Sequence, residues 1–137
     1  MSGQKGQPPV VAIVDDDQGL RESIGVLLEM SGIVSRQYES AETFLADPHA
    51  LDNLGCLLVD LNFPGMSGIE LLRCSAADGR LPPTILFSAS LTEKTALEAR
   101  MAGALAVLDK PVRPMVLLSQ LSTALSFAQP TAARRHA

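Results

Sequence analysis

The chain has 137 residues, which leaves room for one compact domain, and its 47% hydrophobic and 19% charged content excludes both disordered and collagen-like classes. Eleven Lys plus Arg against fifteen Asp plus Glu give a net charge of -4. With no basic stripe, nucleic acid is not expected as a direct partner of this segment.

Residues 1–8 are polar and rich in Gly and Pro, and they read as a disordered N-terminal segment ahead of a domain over 9–128. Residues 10–14 (VVAIV) have the length and apolarity of a buried strand. Leu20, Ile24, Leu27 and Leu28 then recur at i, i+4, i+7 and i+8, which places them on one helix face, and Gly32 ends that helix. Residues 33–38 form a less apolar second strand. Ser40 is the N-cap of a short helix that runs to Ala46 and stops ahead of Pro48.

The third strand, 56–59 (CLLV), ends in Asp60, and the Pro and Gly of 61–67 (LNFPGMS) make a loop before a helix carrying Ile69, Leu71 and Leu72. Residues 84–87 (TILF) are the fourth strand. Ser90 and Glu93 have capping-box spacing for a helix running to about Ala102, with Gly103 as its C-cap. Residues 105–108 (LAVL) are the fifth strand, a last helix spans 113 to about 127, and 129–137 is a C-terminal tail. Strands apolar throughout, alternating with helices, predict an α/β fold: a single doubly wound five-stranded parallel sheet with five helices.

No apolar run reaches the ~18 residues of a membrane span, so a cytoplasmic protein with no membrane contact is expected. Cys56 and Cys74 lack metal-ligand spacing and read as reduced, buried thiols. His49 and His136, in a loop and the tail, read as surface residues.

Ligands of such sheets sit beyond the carboxyl ends of the strands. There the sequence puts Asp15, Asp16 and Asp17 after the first strand, Asp60 after the third, Ser88 after the fourth, and Asp109 and Lys110 after the fifth. Converging carboxylates repel one another and call for a divalent cation, and hard oxygen ligands suit Mg²⁺. A hydroxyl and an ammonium on the same rim can hold phosphoryl oxygens. The set reads as a phosphoryl-transfer site with a carboxylate nucleophile. Asp17, just ahead of a helix, reads more plainly as an N-cap, and Asp109 as a solvated rim charge.

The motifs IVDDD (13–17), VDLNFPGMSGIELL (59–72), FSA (87–89) and GALAVLDKP (103–111) together resemble a two-component response-regulator receiver domain, over about residues 9–127. The loop wording is most similar to receivers whose regulators carry a helix-turn-helix output, although no such output is present in these 137 residues. The resemblance implies a flavodoxin-like fold of receiver type and a regulatory domain, not an enzyme, that assists only its own phosphotransfer and dephosphorylation. It implies Asp60 as phosphoacceptor, with catalytic support from Ser88 and Lys110. It further implies Mg²⁺ held by Asp15, Asp16, Asp60 and the backbone carbonyl of Asn62. Ala89 would be the small residue that leaves access to the phosphoryl group, and Pro111 suggests a cis Lys110-Pro111 bond that aims the lysine.

The donor implied is a sensor histidine kinase or a phosphotransfer protein. Switching would involve Ser88 and Val107, the latter standing where the family commonly has Tyr or Phe. The fourth helix, fifth strand and fifth helix would be the output face and a candidate homodimer surface. In the last helix Leu117, Leu118, Leu121, Ala124, Leu125 and Ala128 form the sheet-facing stripe, with Val116 and Phe127 on its flank.

Two rival readings remain on the residues alone. A haloacid-dehalogenase-type phosphatase would use Asp15 as nucleophile and Asp17 as acid/base, but it leaves Asp60 and its loop unexplained. A phosphate-independent interaction module would keep the fold without the switch, and only Val107 speaks for it.

Overall fold

A computed structural model describes residues 8–62, 65–76 and 81–127. The expectations for Phe63, Pro64, Ala128, His136 and both terminal segments lie outside these residues, apart from Pro8. The elements alternate as β1 (Val10–Val14), α1 (Gln18–Met30), β2 (Val34–Tyr38), α2 (Ala41–Ala46), β3 (Leu54–Asp60), α3 (Gly68–Ala76), β4 (Thr84–Ser88), α4 (Glu93–Met101), β5 (Ala106–Asp109) and α5 (Pro114–Ser126). All strand pairs are parallel, in the order β2-β1-β3-β4-β5, so the chain reverses its direction of winding after β2 and leaves a crevice at the carboxyl ends of β1 and β3.

Strand side chains alternate between two cores. Val11 and Ile13 of β1, Cys56 and Leu58 of β3, and Ile85 and Phe87 of β4 meet Ile24 and Leu28 of α1 and Leu117, Leu121 and Ala124 of α5. On the other face Ala12 and Val14, Leu57 and Val59, and Leu86 pack with Ala41 and Phe44 of α2, Leu71 and Leu72 of α3 and Ala99 of α4. Only a sheet covered on both faces buries such strands completely, and β1, β3 beyond Leu54, and β4 are buried throughout. The edge strand β2 (VSRQY) buries only Tyr38, which meets Phe44 edge-on at 5.3 Å.

Several local expectations are corrected. The fourth helix begins not at a Ser90–Glu93 box but at Thr92, whose hydroxyl accepts from the Thr95 amide while the Thr95 hydroxyl accepts from the Thr92 amide. Ser90 is held in the preceding turn, its amide donating to the Ser88 hydroxyl. A box of the expected kind occurs instead at Ser67 and Glu70, at the start of α3. Gly103 (φ 112°) follows the C-cap Ala102 of α4, and Gly32 (φ 77°) follows the end of α1. Cys56 is buried as expected, but Cys74 is exposed. Two residues beyond buried Leu72, a helix has turned by about 200°, which takes Cys74 to the solvent side. Among the described residues, no helix is long and apolar enough to cross a membrane.

Candidate functional site

Four of the strands deliver polar residues to one rim. Asp15 follows β1 and is fully buried, Asp60 ends β3 at 5% exposure, Ser88 ends β4 fully buried, and Lys110 follows β5. Ligand oxygens of Asp15, Asp16 and Asp60 lie within 4.8 Å of one another, with Asp16 alone exposed to solvent. The lysine sits between the two buried carboxylates: Nζ donates to Asp60 Oδ2 at 3.0 Å and stands 2.9 Å from Asp15 Oδ2. The Lys110-Pro111 bond is cis, as anticipated.

Each carboxylate is oriented by the turn that follows its strand. Asp15 Oδ1 accepts from the Asp17 amide at 2.8 Å, and Asp60 Oδ1 accepts from the Asn62 amide at 2.9 Å. These i to i+2 bonds are Asx-type turns, which fix the carboxylate against its own backbone. Asp15 Oδ2 is different: the contact with Lys110 is a charge pair rather than an aligned hydrogen bond, and this buried oxygen has no hydrogen-bond partner among the described residues. Burial pushes the Asp15 pKa up, more strongly than the contacts of Lys110 and Asp17 hold it down. For Lys110, burial pulls the pKa down, but the close contacts and charge attraction of Asp15 and Asp60 more than offset that, and the net direction is up.

Ser88 is positioned by three bonds. Its carbonyl accepts from the Lys110 amide, and its hydroxyl accepts from the Ser90 amide at 3.1 Å and the Asn62 side-chain amide at 3.2 Å. The hydroxyl therefore faces the β3–α3 connection. Ala89, beside it, is exposed and leaves the rim open on that side. Gly68, at the start of α3, packs so closely that a Cβ would stand 2.7 Å from the Asp60 carbonyl and 2.9 Å from the Leu86 side chain, which requires glycine there.

The sequence-predicted set of Asp15, Asp16, Asp60, Asn62, Ser88 and Lys110 is thus brought together, while Val107, paired with Leu86, lies half-buried in the core beside α4. Asp17 is the N-cap of α1, its carboxylate accepting from the Leu20 amide at 3.1 Å, and Asp109 is exposed, both as the plainer readings had it. His49, likewise exposed, pairs with Asp52. Two contributors were not anticipated. Arg21 donates to the Asp15 carbonyl at 2.6 Å, and Glu42 accepts from the Met66 amide at 2.9 Å. Both tie helices to the rim through backbone atoms, and nothing in a residue pattern marks such bonds.

The acidic residues fit a hard divalent cation: three oxygens converge, and the buried Asp15 Oδ2, ion-paired with Lys110 but without an aligned hydrogen bond, is an acceptor that a cation would satisfy.

The family model described as response regulator receiver domain matches residues 11–122. Transcriptional regulatory protein FixJ of Azorhizobium caulinodans is 36% identical over 115 residues, covering 84% of this chain and 54% of that protein. Response regulator protein TmoT of Ectopseudomonas mendocina is 36% identical over 122 residues, covering 89% and 55%. The chain therefore spans about half the length of the curated relatives it matches. Among solved structures, FixJ-N superposes with a TM-score of 0.79 at 34% identity, over 88% of this chain and 95% of that one. Response regulator StyR gives 0.81 at 33%, over 94% and 63%. The phosphatase reading does not accord with a receiver-domain match over residues 11–122, and Asp17 is committed to capping α1. The chain belongs to the response regulator receiver domain family of two-component signalling systems, whose members are regulatory phosphoacceptor domains.

Proposed function

We propose that Asp60 is the phosphoacceptor and that it takes a phosphoryl group from a phosphohistidine of a sensor kinase or phosphotransfer protein. The observation that carries this reading is the bridge of Lys110 between Asp60 and Asp15 at the open end of β3. A carboxylate oxygen of Asp60 forms the new P–O bond while the P–N bond to the imidazole breaks and its electron pair stays on the nitrogen. Lys110 then meets a phosphoryl oxygen in place of one carboxylate oxygen, and the Ser88 hydroxyl, which accepts from the Asn62 side chain, donates its own proton to another phosphoryl oxygen.

Asp15, Asp16, Asp60 and the Asn62 carbonyl are the groups that would hold Mg²⁺, which when bound supplies positive charge against the three carboxylates and the phosphoryl oxygens. Binding without phosphate should be weak and should depend on Asp16, the exposed member of the cluster.

The same site would assist dephosphorylation by water, the only turnover this reading assigns to the chain. Phosphorylation would pull Ser88 and its loop inward, and because Val107 is β-branched the change would reach the α4–β5–α5 face through backbone and helix movement. That face would meet a second copy or an output partner. The net charge of -4 accords with any action on DNA being indirect for this segment, and a cytoplasmic setting is proposed with the kinase partner.

Intact-mass analysis after incubation with Mg²⁺ and acetyl phosphate tests the proposal. One phosphoryl group mapped to Asp60, and none gained by Asp60→Asn, is expected. Undiminished labelling of Asp60→Asn refutes it, and an unlabelled native chain favours the phosphate-independent module.

A further inference from the structure

Glu42 lies outside the acidic cluster, in the first turn of α2, yet its carboxylate reaches the segment that follows Asp60. Oε2 accepts the Met66 amide at 2.9 Å, and a Cβ on Gly65 would stand 2.5 Å from the same oxygen and 3.3 Å from the carboxyl carbon. The carboxylate is therefore seated on the backbone of 65–66, in space that only a glycine leaves. The helix that carries it is itself fixed. Ser40 caps it by accepting from the Thr43 amide, and Ala41 and Phe44 are buried in the core. The Met66 amide is also the first cause that holds the Glu42 carboxyl below its ordinary pKa.

On the site side, the same connection carries Asn62, whose amide orients Asp60 Oδ1 and whose side chain holds the Ser88 hydroxyl. Beyond Met66, the Gly68 amide donates to the Leu61 carbonyl and the Ser67–Glu70 box starts α3. Of these ties, only the Glu42 bond comes from an element that contributes nothing else to the rim.

We infer that Glu42 is a positioning residue for phosphoryl transfer: by fastening Gly65 and Met66 to α2 it sets the placement of Asn62 against Asp60 and Ser88. This rests on the reading of Asp60 as phosphoacceptor. Loss of the tie loosens Gly65 and Met66 ahead of α3, whose Gly68 amide holds the Leu61 carbonyl next to Asn62, and transfer slows because Asn62 less often orients the carboxylate.

The test uses the full chain with Glu42→Ala, Glu42→Gln, Gly65→Ala and the Glu42→Ala/Gly65→Ala double variant. The rate of phosphoryl gain from acetyl phosphate at saturating Mg²⁺ and the hydrogen exchange of the Met66 amide are measured. Glu42→Ala should slow transfer about fivefold and speed Met66 exchange. Glu42→Gln, whose amide oxygen still accepts, should recover most of the rate, which a merely structural loss would not predict. Gly65→Ala should slow transfer alone but add little in the Glu42→Ala background, because the carboxylate it displaces is already gone. Unchanged rate and exchange in Glu42→Ala, a Gln variant no better than Ala, or fully multiplicative effects of the two substitutions would each overturn the inference. If the native chain gains no phosphoryl group, the phosphoacceptor reading fails separately. Mg²⁺ titration then decides the positioning role: affinity weakened in Glu42→Ala and restored in Glu42→Gln supports it, and equal affinities overturn it.

Discussion

Lys110 brings its ammonium to 2.9 Å from Asp15 Oδ2, an oxygen that is buried and has no aligned hydrogen bond among the described residues. The Asp15 pKa is raised above 3.8, chiefly by burial. A carboxylate raised in the folded state favours folding when protonated, so this contribution falls as pH rises from 3.8 through the folded value, and the ionised group costs stability at neutral pH. Asp15→Asn should therefore raise the metal-free melting temperature by about 2–5 °C and remove the stabilisation that Mg²⁺ gives the native chain. Thermal unfolding with and without Mg²⁺ measures both, and a variant that melts lower than the native chain would contradict the argument.

The lysine has the opposite sign. Burial alone would depress its pKa, but Asp15 and Asp60 raise it above 10.5. Its stabilising contribution is fully present below 10.5 and is lost as pH climbs through the folded value. Lys110→Met should cost about 1–3 kcal/mol at neutral pH, since it leaves two buried carboxylates facing each other without a counter-charge. Urea unfolding in steps through and above 10.5 should show the gap between native and variant closing. A gap independent of pH would mean that the lysine acts by packing alone.

The two cysteines should separate by chemistry. Cys56 is buried in β3 and its thiol is pushed up to about 12, whereas Cys74 is exposed on α3. A thiol-directed reagent at mildly alkaline pH should modify Cys74 in the native chain and reach Cys56 only on unfolding. Labelling of Cys56 at the rate of Cys74, read by mass mapping, would show that β3 opens readily.

What the residue pattern could reveal followed from periodicity and topology. Strands β1, β3 and β4 announce themselves because a sheet covered on both faces demands unbroken apolar runs, and strand ends then point to Asp15, Asp60, Ser88 and Lys110. The start of α4 was misplaced because Ser90–Glu93 and Thr92–Thr95 are both admissible capping pairs, and only the Ser90 bond to Ser88 decides between them. Cys74 follows two leucines in sequence, but its side is set by where α3 docks. Arg21 and Glu42 stayed invisible because each bonds backbone atoms of a distant or following turn, and backbone partners carry no residue signature.

The α4–β5–α5 surface carries the last expectation. Leu97 and Met101 of α4 are 58% and 78% exposed, Met115 of α5 is 77% exposed, and Val107 between these helices in sequence is half-buried against α4. The α5 sequence PMVLLSQLSTALS contains no charged residue. Leu117, Leu121 and Ala124 face the sheet, with Leu118 and Leu125 packed against the same core, so of the α5 apolar side chains Met115 and Val116 are the ones left exposed. Large apolar side chains on successive elements are a feature of surfaces that meet partners. If phosphorylation shifts α4 relative to β5, the area these residues offer changes, and a second copy would gain or lose a hold. Sedimentation of the native chain with and without beryllofluoride, a phosphoryl mimic, should show self-association strengthened by the mimic. Paired Met101→Glu and Met115→Glu substitutions should weaken it about tenfold while leaving labelling of Asp60 by acetyl phosphate intact. A chain that stays monomeric under both conditions would remove self-association from the output of this face.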